Sequence, residues 1–384
     1  MLVWLFYIPL ALLVYQFVLF PLALYVLSRR RAEPEYAELS DDELPTVAFI
    51  IAARNEEDII ADKIDNSLSL RYPSDKIRFI VIANGCTDRT TEIVGNYKDD
   101  RVELIEYGEI GKTEAQNRAV KDIDEDILVF SDANTPYAED AVYELVKPFQ
   151  DQQVGSVAGN HIYMSGEDSR SSTEGFFWNR IELLYKKTES VTGGALGAMG
   201  SIYAVRRELY IPLPPDIVSD FWEPVLIAAR GKRTVFMESA ICYEAAENPD
   251  LIIEFQRKSR IVHRACYSLV HYRWILNPLR YPRLAWLIVS HKLMRWLTPF
   301  MLAIPLMAAS MRMVIGRGRW PQVCYFVAMS LFGFFALLGR GFGRTTSVPV
   351  LTPAYYASLM FYAAAKGVYT SFAGDQLSTW DRAR

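Results

Sequence analysis

Hydrophobic and polar positions divide the chain into three stretches. The first 28 residues carry no charged side chain and form one apolar run. About 20 apolar residues suffice to cross a bilayer as a helix. A secretory signal has a charged front and a shorter core. Here the charge follows the run, as Arg29, Arg30 and Arg31, so the run reads as an uncleaved anchor. From 45 to 245 the pattern changes: short apolar segments alternate with stretches of helical spacing. Beyond 283 long uncharged runs return, at 296–311, 320–339 and 345–365, and predict three more membrane helices. The front of the first run, with Lys292 and Arg295 inside it, suits an interfacial position in which Arg295 snorkels.

In the middle stretch Val47–Ala53 (VAFIIAA) reads as a buried strand, followed by a helix over 55–70 with Ile59, Ile60, Ile64 and Leu68 on one face. Further strands are predicted at 77–83, 102–107 and 127–131, with helices at 88–97 and 112–121. Alternation of this kind implies right-handed crossovers and a mostly parallel α/β sheet with helices on both faces. Ligands of such sheets bind beyond the carboxyl ends of the strands. The polar clusters fall at those ends: Arg54-Asn55-Glu56, 84–88 (NGCTD) and 131–134 (SDAN).

Charge sharpens this division. The net charge is −4, yet the first 32 residues are purely basic and residues 280–384 carry twelve bases against two acids. The acid excess therefore lies in the middle, which argues against nucleic acid as a partner. Basic ends beside apolar runs point to a membrane, and the arginines at 29–31 put the middle stretch in the cytoplasm of an integral cell-membrane protein. Four spans return both termini to the outer side, and the loop 312–319, with three arginines, then faces outward against the same rule. Four scattered cysteines and four histidines form no CxxC or HExxH spacing, so no zinc site or disulfide framework is read. GxGxxG and GxxxxGK[ST] are absent too, which excludes dinucleotide and P-loop chemistry.

Asp132, followed two residues on by Asn134, offers a carboxylate and an amide oxygen to a hard cation such as Mg²⁺ or Mn²⁺, or else caps the next helix. Asp88 suits a nucleobase or ribose, or a helix cap. Lys112, after a glycine at a helix start, suits a diphosphate or bulk solvent. Asp220, beside Phe221 and Trp222, is a candidate general base or an N-cap. Around 255–272 the cations Arg257, Lys258, Arg260, His263 and Arg264 suit phosphate or anionic lipid headgroups.

In this order the clusters resemble the family 2 inverting glycosyltransferases of GT-A fold. The motifs are Ala53-Arg54-Asn55-Glu56, 84–88, Gly111-Lys112 with Ala115, Asn117 and Ala119, 131–134, 200–207 (GSIYAVRR), Ser219-Asp220 and 256–260 (QRKSR). They are most like the membrane-embedded branch of cellulose, chitin, hyaluronan and poly-N-acetylglucosamine synthases. The resemblance implies a nucleotide-sugar donor, a UDP-sugar in most of that branch, held by Asn55, Glu56, Asp88, Lys112, Asp132, Arg257 and Arg260. It implies an Mg²⁺ or Mn²⁺ ion on Asp132 and Asn134, an acceptor side shaped by Gly193, Gly194, Ser201 and Trp222, and Asp220 as catalytic base. The acceptor is a lipid-linked or growing glycan, and inversion gives a β-linked product from an α-linked donor.

Two departures bear on processivity. The synthases' QxxRW is displaced here, with Gln256 one residue early and Ile261 where Trp is expected. The usual Thr-Glu-Asp reads Val218-Ser219-Asp220. Single-sugar transfer is thus preferred over polymerisation, with a silent scaffold subunit as the non-enzymatic alternative. Four spans are few for a polysaccharide channel, so a homo-oligomer or partner subunit enters the expectation. The expected organisation is an anchor at 1–28, a juxtamembrane linker at 29–44, a GT-A domain at 45–250, interfacial amphipathic helices at 251–283, three membrane helices at 284–374 and a tail at 375–384.

Overall fold

The computed structural model describes residues 1–32, 34–164, 177–245, 251–342 and 350–373; the expected tail and part of the 340–350 loop lie outside them. Seven strands form one sheet: β1 (Val47–Ala53), β2 (Ile77–Asn84), β3 (Val102–Tyr107), β4 (Ile127–Asp132), β5 (Val154–Met164), β6 (Tyr203–Arg206) and β7 (Arg233–Ala245). Their order is β3-β2-β1-β4-β6-β5-β7. β3, β2, β1 and β4 run parallel. β6 is antiparallel to β4 and β5, and β7 returns parallel to β5.

β1, β2 and β4 are apolar at nearly every position because both faces are covered, while the edge strand β3 keeps Glu103 and Glu106 exposed. On one face Phe49, Ile51, Phe79 and Val129 pack with Ile60 and Ile64 of α2 (Ile60–Leu68) and with Leu145 and Val146 of α5 (Ala141–Val146). On the other, Ala48, Ile50, Ile80 and Phe130 pack with Ala115 and Ala119 of α4 (Lys112–Ala119). α1 is the N-terminal helix Leu2–Ser28, and α3 is Thr90–Gly95.

α6 (Leu183–Val191), α7 (Ser219–Ala229) and α8 (Leu251–His271) lead toward the apolar helices α9 (Pro282–Val314) and α10 (Trp320–Phe342) and the last helix, α11 (Leu351–Ala373). Among the described residues three helices are long and apolar enough to cross a membrane: Leu2–Ser28, Pro282–Val314 and Trp320–Gly341. The fourth expected span, 345–365, lies partly outside the described residues, and its described part, in α11, falls short of that hydropathy. α11 is helical for 23 residues, but its tyrosines, serines and threonines, with Pro353 and Lys366, lower its hydropathy. It packs on α9 and α10, where Phe332 meets Phe361, and along α8, where Tyr362 stacks on Phe255, Thr370 bonds His263 at 2.9 Å and a Cβ on Gly367 would lie 2.7 Å from the Ser259 carbonyl.

The apolar helices join the sheet domain through a buried cluster of Phe20, Leu24, Trp222, Cys266, Leu287 and Ile288. Beside it lies a polar junction. α1 and α9 each widen into a π turn, at Tyr15–Leu19 and Ile288–Leu293. Where they meet, the Tyr15 and Ser290 hydroxyls share a 2.7 Å bond, and the Trp286 indole donates to Tyr15 at 2.8 Å. The second turn presents His291 and Lys292, and with Arg295 just beyond they meet two acids of the sheet domain. Glu182 lies 3.1 Å from Lys292 Nζ and 2.8 Å from Arg295 Nη1, and Glu189 lies 2.6 Å from His291 Nδ1. Glu182 and Glu189 are buried. Breaking a buried pair by removing one partner costs about 3–5 kcal/mol. Glu182→Ala should therefore lower the thermal melting point in detergent by several degrees; a melt like that of the unchanged protein would show that Lys292 and Arg295 do not depend on it.

Candidate active site

The site is built at the carboxyl ends of β1, β2 and β4. After β1 the chain turns at Asn55, whose φ is 54°. Its Oδ1 accepts the Thr87 N–H at 2.7 Å, tying this turn to the one after β2. The Glu56 N–H donates to Thr90 Oγ1 at 2.7 Å. Asp88 accepts the Thr90 N–H and hydroxyl at 3.0 and 2.6 Å and the Glu57 N–H at 3.1 Å. Burial pushes the Asp88 carboxyl up, but those donors outweigh it and hold it below the ordinary range. Asp88 thus caps the start of α3 and stitches two strand-end loops together, and both its oxygens already accept hydrogen bonds.

Asp132 ends β4, beside Ala52 of β1. Its carboxylate contacts the Lys112 ammonium at the start of α4. Asp220 sits in the first turn of α7 and comes to the same place. A Cβ on Gly200 would stand 3.0 Å from Asp220 Oδ2 and 3.5 Å from Lys112 Nζ, so glycine is what allows the two groups to approach. The Asp220 carboxyl is raised above its usual range. Burial is the main cause and Asp132 adds to it, while Lys112, Arg264 and the Gly200 N–H pull the other way.

α4 explains its own polar residues. Thr113 donates to the Ile217 carbonyl at 2.9 Å and Asn117 to the Leu213 carbonyl at 2.7 Å, while Ser219 donates to Gln116 at 3.2 Å. One face of α4 therefore supplies Lys112, and the same helix fixes the strip that delivers Asp220. Beneath Asp132, buried Lys63 donates to the Thr135 carbonyl at 2.7 Å and lies 4.3 Å from the Tyr137 ring centre. Burial lowers its pKa to about 7. Nothing in the sequence pattern marks this lysine, which replaces an apolar residue at a helical core position.

Several expected residues stand elsewhere. Asn134, expected beside Asp132 as a ligand, donates its amide to Glu244 at 3.4 Å. Glu244 meets His161 Nε2 at 2.7 Å, and His161 Nδ1 meets Ser201 Oγ at 2.6 Å. Ser201 is buried and belongs to this chain of side chains rather than to an open wall. Trp222 is fully buried against Tyr272 and Phe221, so it supports α7 from behind. Gly193 and Gly194, at φ 126° and 125°, turn the chain under Arg283, which donates to the Glu189 and Gly194 carbonyls at 2.9 and 2.8 Å. Arg257 pairs with Glu254 at 2.9 Å. The α8 cation that faces Asp220 is Arg264, which donates to the Ile217 carbonyl at 3.2 Å; Arg260 lies within electrostatic reach of it. A count of helical turns from Asp220's neighbours could not have selected Arg264, because α8 and α7 meet only in the fold.

No group of three or more His, Cys, Asp or Glu side chains is arranged to hold a metal among the described residues. The donor set is instead one strand-end carboxylate, Asp132, paired with the Lys112 ammonium. That fits a hard divalent ion which keeps waters and takes its remaining ligands from a diphosphate.

A mostly parallel sheet with acids and a lysine at its carboxyl edge, joined to apolar helices, is a GT-A-like arrangement. Residues 48–212, under half of the chain, match the family model "Glycosyl transferase family 2". Over 128 residues it is 34% identical to the poly-beta-1,6-N-acetyl-D-glucosamine synthase of Staphylococcus aureus strain MSSA476, covering 32% of this chain and 30% of that protein. The Staphylococcus epidermidis protein of the same name is 25% identical over 166 residues, covering 42% and 39%. The chain thus aligns with well under half the length of these relatives. A mannosyltransferase from Pyrobaculum calidifontis, solved with GDP-Man and Mn²⁺, superposes with a TM-score of 0.66 over 95% of this chain and 99% of that one, at 22% identity.

Glu223, one turn beyond Asp220, is buried and accepts the Tyr203 hydroxyl at 3.3 Å. Burial raises its pKa to about 8. Between the unfolded value near ~4.3 and about 8, the folded state holds a proton that the unfolded state has lost. Stability must therefore fall as pH rises through that window. Glu223→Gln should flatten the decline and raise the melting point at pH 8 to 9; a parallel decline in both proteins would show that Glu223 is already ionised when folded.

Proposed function

We propose that the protein is a membrane glycosyltransferase. It moves one sugar from a nucleoside-diphosphate sugar to a hydroxyl of a lipid-linked or growing glycan, with inversion. The observation that carries this reading is the convergence of Lys112, Asp132 and Asp220 at one edge of the sheet. Asp220 accepts the acceptor hydroxyl's proton as its oxygen forms the new bond to the anomeric carbon. The bond from that carbon to the diphosphate oxygen breaks, and the electron pair leaves with the nucleotide. Lys112 faces the departing diphosphate, and the turns at Asn55, Glu56 and Asp88 form the rim on which the nucleoside rests. An Mg²⁺ or Mn²⁺ ion held through Asp132 would supply charge neutralisation to the leaving diphosphate.

Support comes from the match to the family 2 model and from the sequence relatives, which are named as synthases of a β-linked glucosamine polymer. Single addition is favoured over polymerisation because Ile261 stands where the synthases carry a Trp, and Trp222 is buried in the core. The arginines at 29–31 support a cytoplasmic catalytic face.

Asp220→Asn should bind donor as before and lose transfer by at least ~100-fold, the scale of general-base catalysis. Filter binding of a labelled nucleotide-sugar together with product sizing would measure both, and undiminished transfer would remove Asp220 from its role. Asp132→Ala should weaken metal-dependent donor binding; an unchanged Mn²⁺ titration would overturn that assignment.

The raised Asp220 pKa places the acid limb of the pH–rate profile above the ordinary aspartate value of ~3.9. Arg264 lowers that pKa, so Arg264→Met should move the limb further toward neutral pH. A limb that moved down, or stayed in place, would dissociate the profile from Asp220.

A further inference from the structure

A strip of loop holds the first turn of α7. The Ala198 N–H donates to the Asp220 carbonyl at 2.8 Å, and the Gly200 N–H donates to the Asp220 carboxylate. Gly197, at φ 79°, passes so close that a Cβ there would stand 2.8 Å from the Phe221 ring. The Asp220 side chain therefore follows residues 197–200. Those residues are fixed in turn by the next one, Ser201, which is gripped at two atoms. Its carbonyl accepts the Tyr137 hydroxyl at 2.9 Å, and its own hydroxyl lies 2.6 Å from His161 Nδ1.

The His161 side chain is 4% exposed, and its Nε2 lies 2.7 Å from Glu244. Burial pushes the Glu244 carboxyl up, but His161, Arg257 and Lys258 outweigh it and hold it below its ordinary range. An ionised carboxylate can only accept. The imidazole therefore turns an N–H toward Glu244, and Nδ1 is left to accept the Ser201 hydroxyl. The Cys242 thiol lies 3.8 Å behind that hydroxyl, and Asn134, two residues beyond Asp132, donates to the far side of Glu244. A buried row of this kind specifies one arrangement when each member is satisfied. Acid, imidazole and hydroxyl in sequence also describe nucleophilic catalysis. Ser201 is 3% exposed, however, so no substrate reaches it and the row acts by holding.

We propose that His161 is a positioning residue for the catalytic base: through Ser201 it fixes the 197–200 strip, and with it the direction of the Asp220 carboxylate. This rests on the transferase reading of Asp220 and adds to it the residue that sets the base. His161 touches neither substrate nor base. It belongs to β5, and Glu244 to β7, so the half of the sheet that carries no donor group aims the base, while the parallel half carries Asp132.

Variants of the full-length protein test it. Nucleotide release from uridine- and guanosine-diphosphate sugars is followed in membranes; hydrogen exchange and melting are followed in detergent. His161→Ala should lower kcat at least ~tenfold, since a small misplacement of a reacting group is costly, and leave the donor KM unchanged. Amide exchange across 197–201 should quicken in the same variant. His161→Asn keeps an acceptor at the δ position and should recover most of the lost kcat. His161→Gln carries its amide one carbon further out and should not. Ser201→Ala should match His161→Ala, and the double variant should be no worse than either, because both remove the same link. The melting points report that the variants are folded.

An unchanged kcat in folded His161→Ala would overturn the proposal. So would losses that multiply in the double variant, or equal recovery by Asn and Gln, which would report filled space rather than a bond. The transferase reading fails in a different way. A wild type that releases no nucleotide from any donor would remove that reading and the role of His161 with it. Release by the wild type and by His161→Ala at one rate would remove the role of His161 alone.

Discussion

One ammonium facing two carboxylates organises the catalytic edge of this protein. Lys112 contacts Asp132 and stands across Gly200 from Asp220. The three come from a helix start, a strand end and the first turn of a distant helix, and only the parallel order β2-β1-β4 brings the first two to one edge. The third arrives because α4 grips residues 213–219 through Thr113, Gln116 and Asn117. A helix that also carries Lys112 therefore sets the distance between cation and base.

Charge also fastens the catalytic domain to the apolar helices. Glu182 and Glu189 reach from around α6 to Lys292, Arg295 and His291 of α9, and Arg283 closes the end of α6 from the same helix. Arg31, just past the N-terminal helix, donates to the Thr192 carbonyl at 3.0 Å. Two membrane-proximal helices thus hold the stretch 189–196, which leads within a few residues to Gly200. Buried ion pairs give little net stability because desolvation offsets their attraction. Their value here is positional: a single-residue slip of α9 would leave several charges unpaired, so the helix has one register against the domain.

The parallel half of the sheet was readable from the chain because its strands are buried on both faces. Val47–Ala53 and its neighbours are apolar without alternation, and the polar residues that end them mark the ligand edge. β5 to β7 escaped because they mix Asn160, His161 and Glu244 with apolar residues, and because β6 pairs antiparallel with strands far away in sequence. Asp132, Lys112 and Asp220 could be named from their places at element ends. Asn134, Ser201 and Trp222 could not be placed, since a polar residue near a strand end and an aromatic beside an acid each suit a wall or a core equally well. Which arginine of α8 faces Asp220 depends on how two helices cross, and no local pattern contains that. In α11 the small and hydroxylic residues that interrupt the apolar run serve close packing, Gly367 and Thr370 against α8.

Asp220 shows how the fold sets a working proton affinity. The first turn of a helix favours a carboxylate, through its free N–H groups and its dipole. Burial and Asp132 oppose ionisation, and Lys112 and Arg264 restore part of what burial removes. One turn on, Glu223 has the same burial but no cation beside it, and its pKa climbs to about 8. The contrast between two acids on one short helix isolates the cause. In Asp220 the cations from α4 and α8 oppose what burial and Asp132 do, and among the described residues Glu223 has no such cation acting on it. Gly200 is part of the same balance, because a side chain there would push Lys112 or Asp220 away and leave the acid in the condition of Glu223.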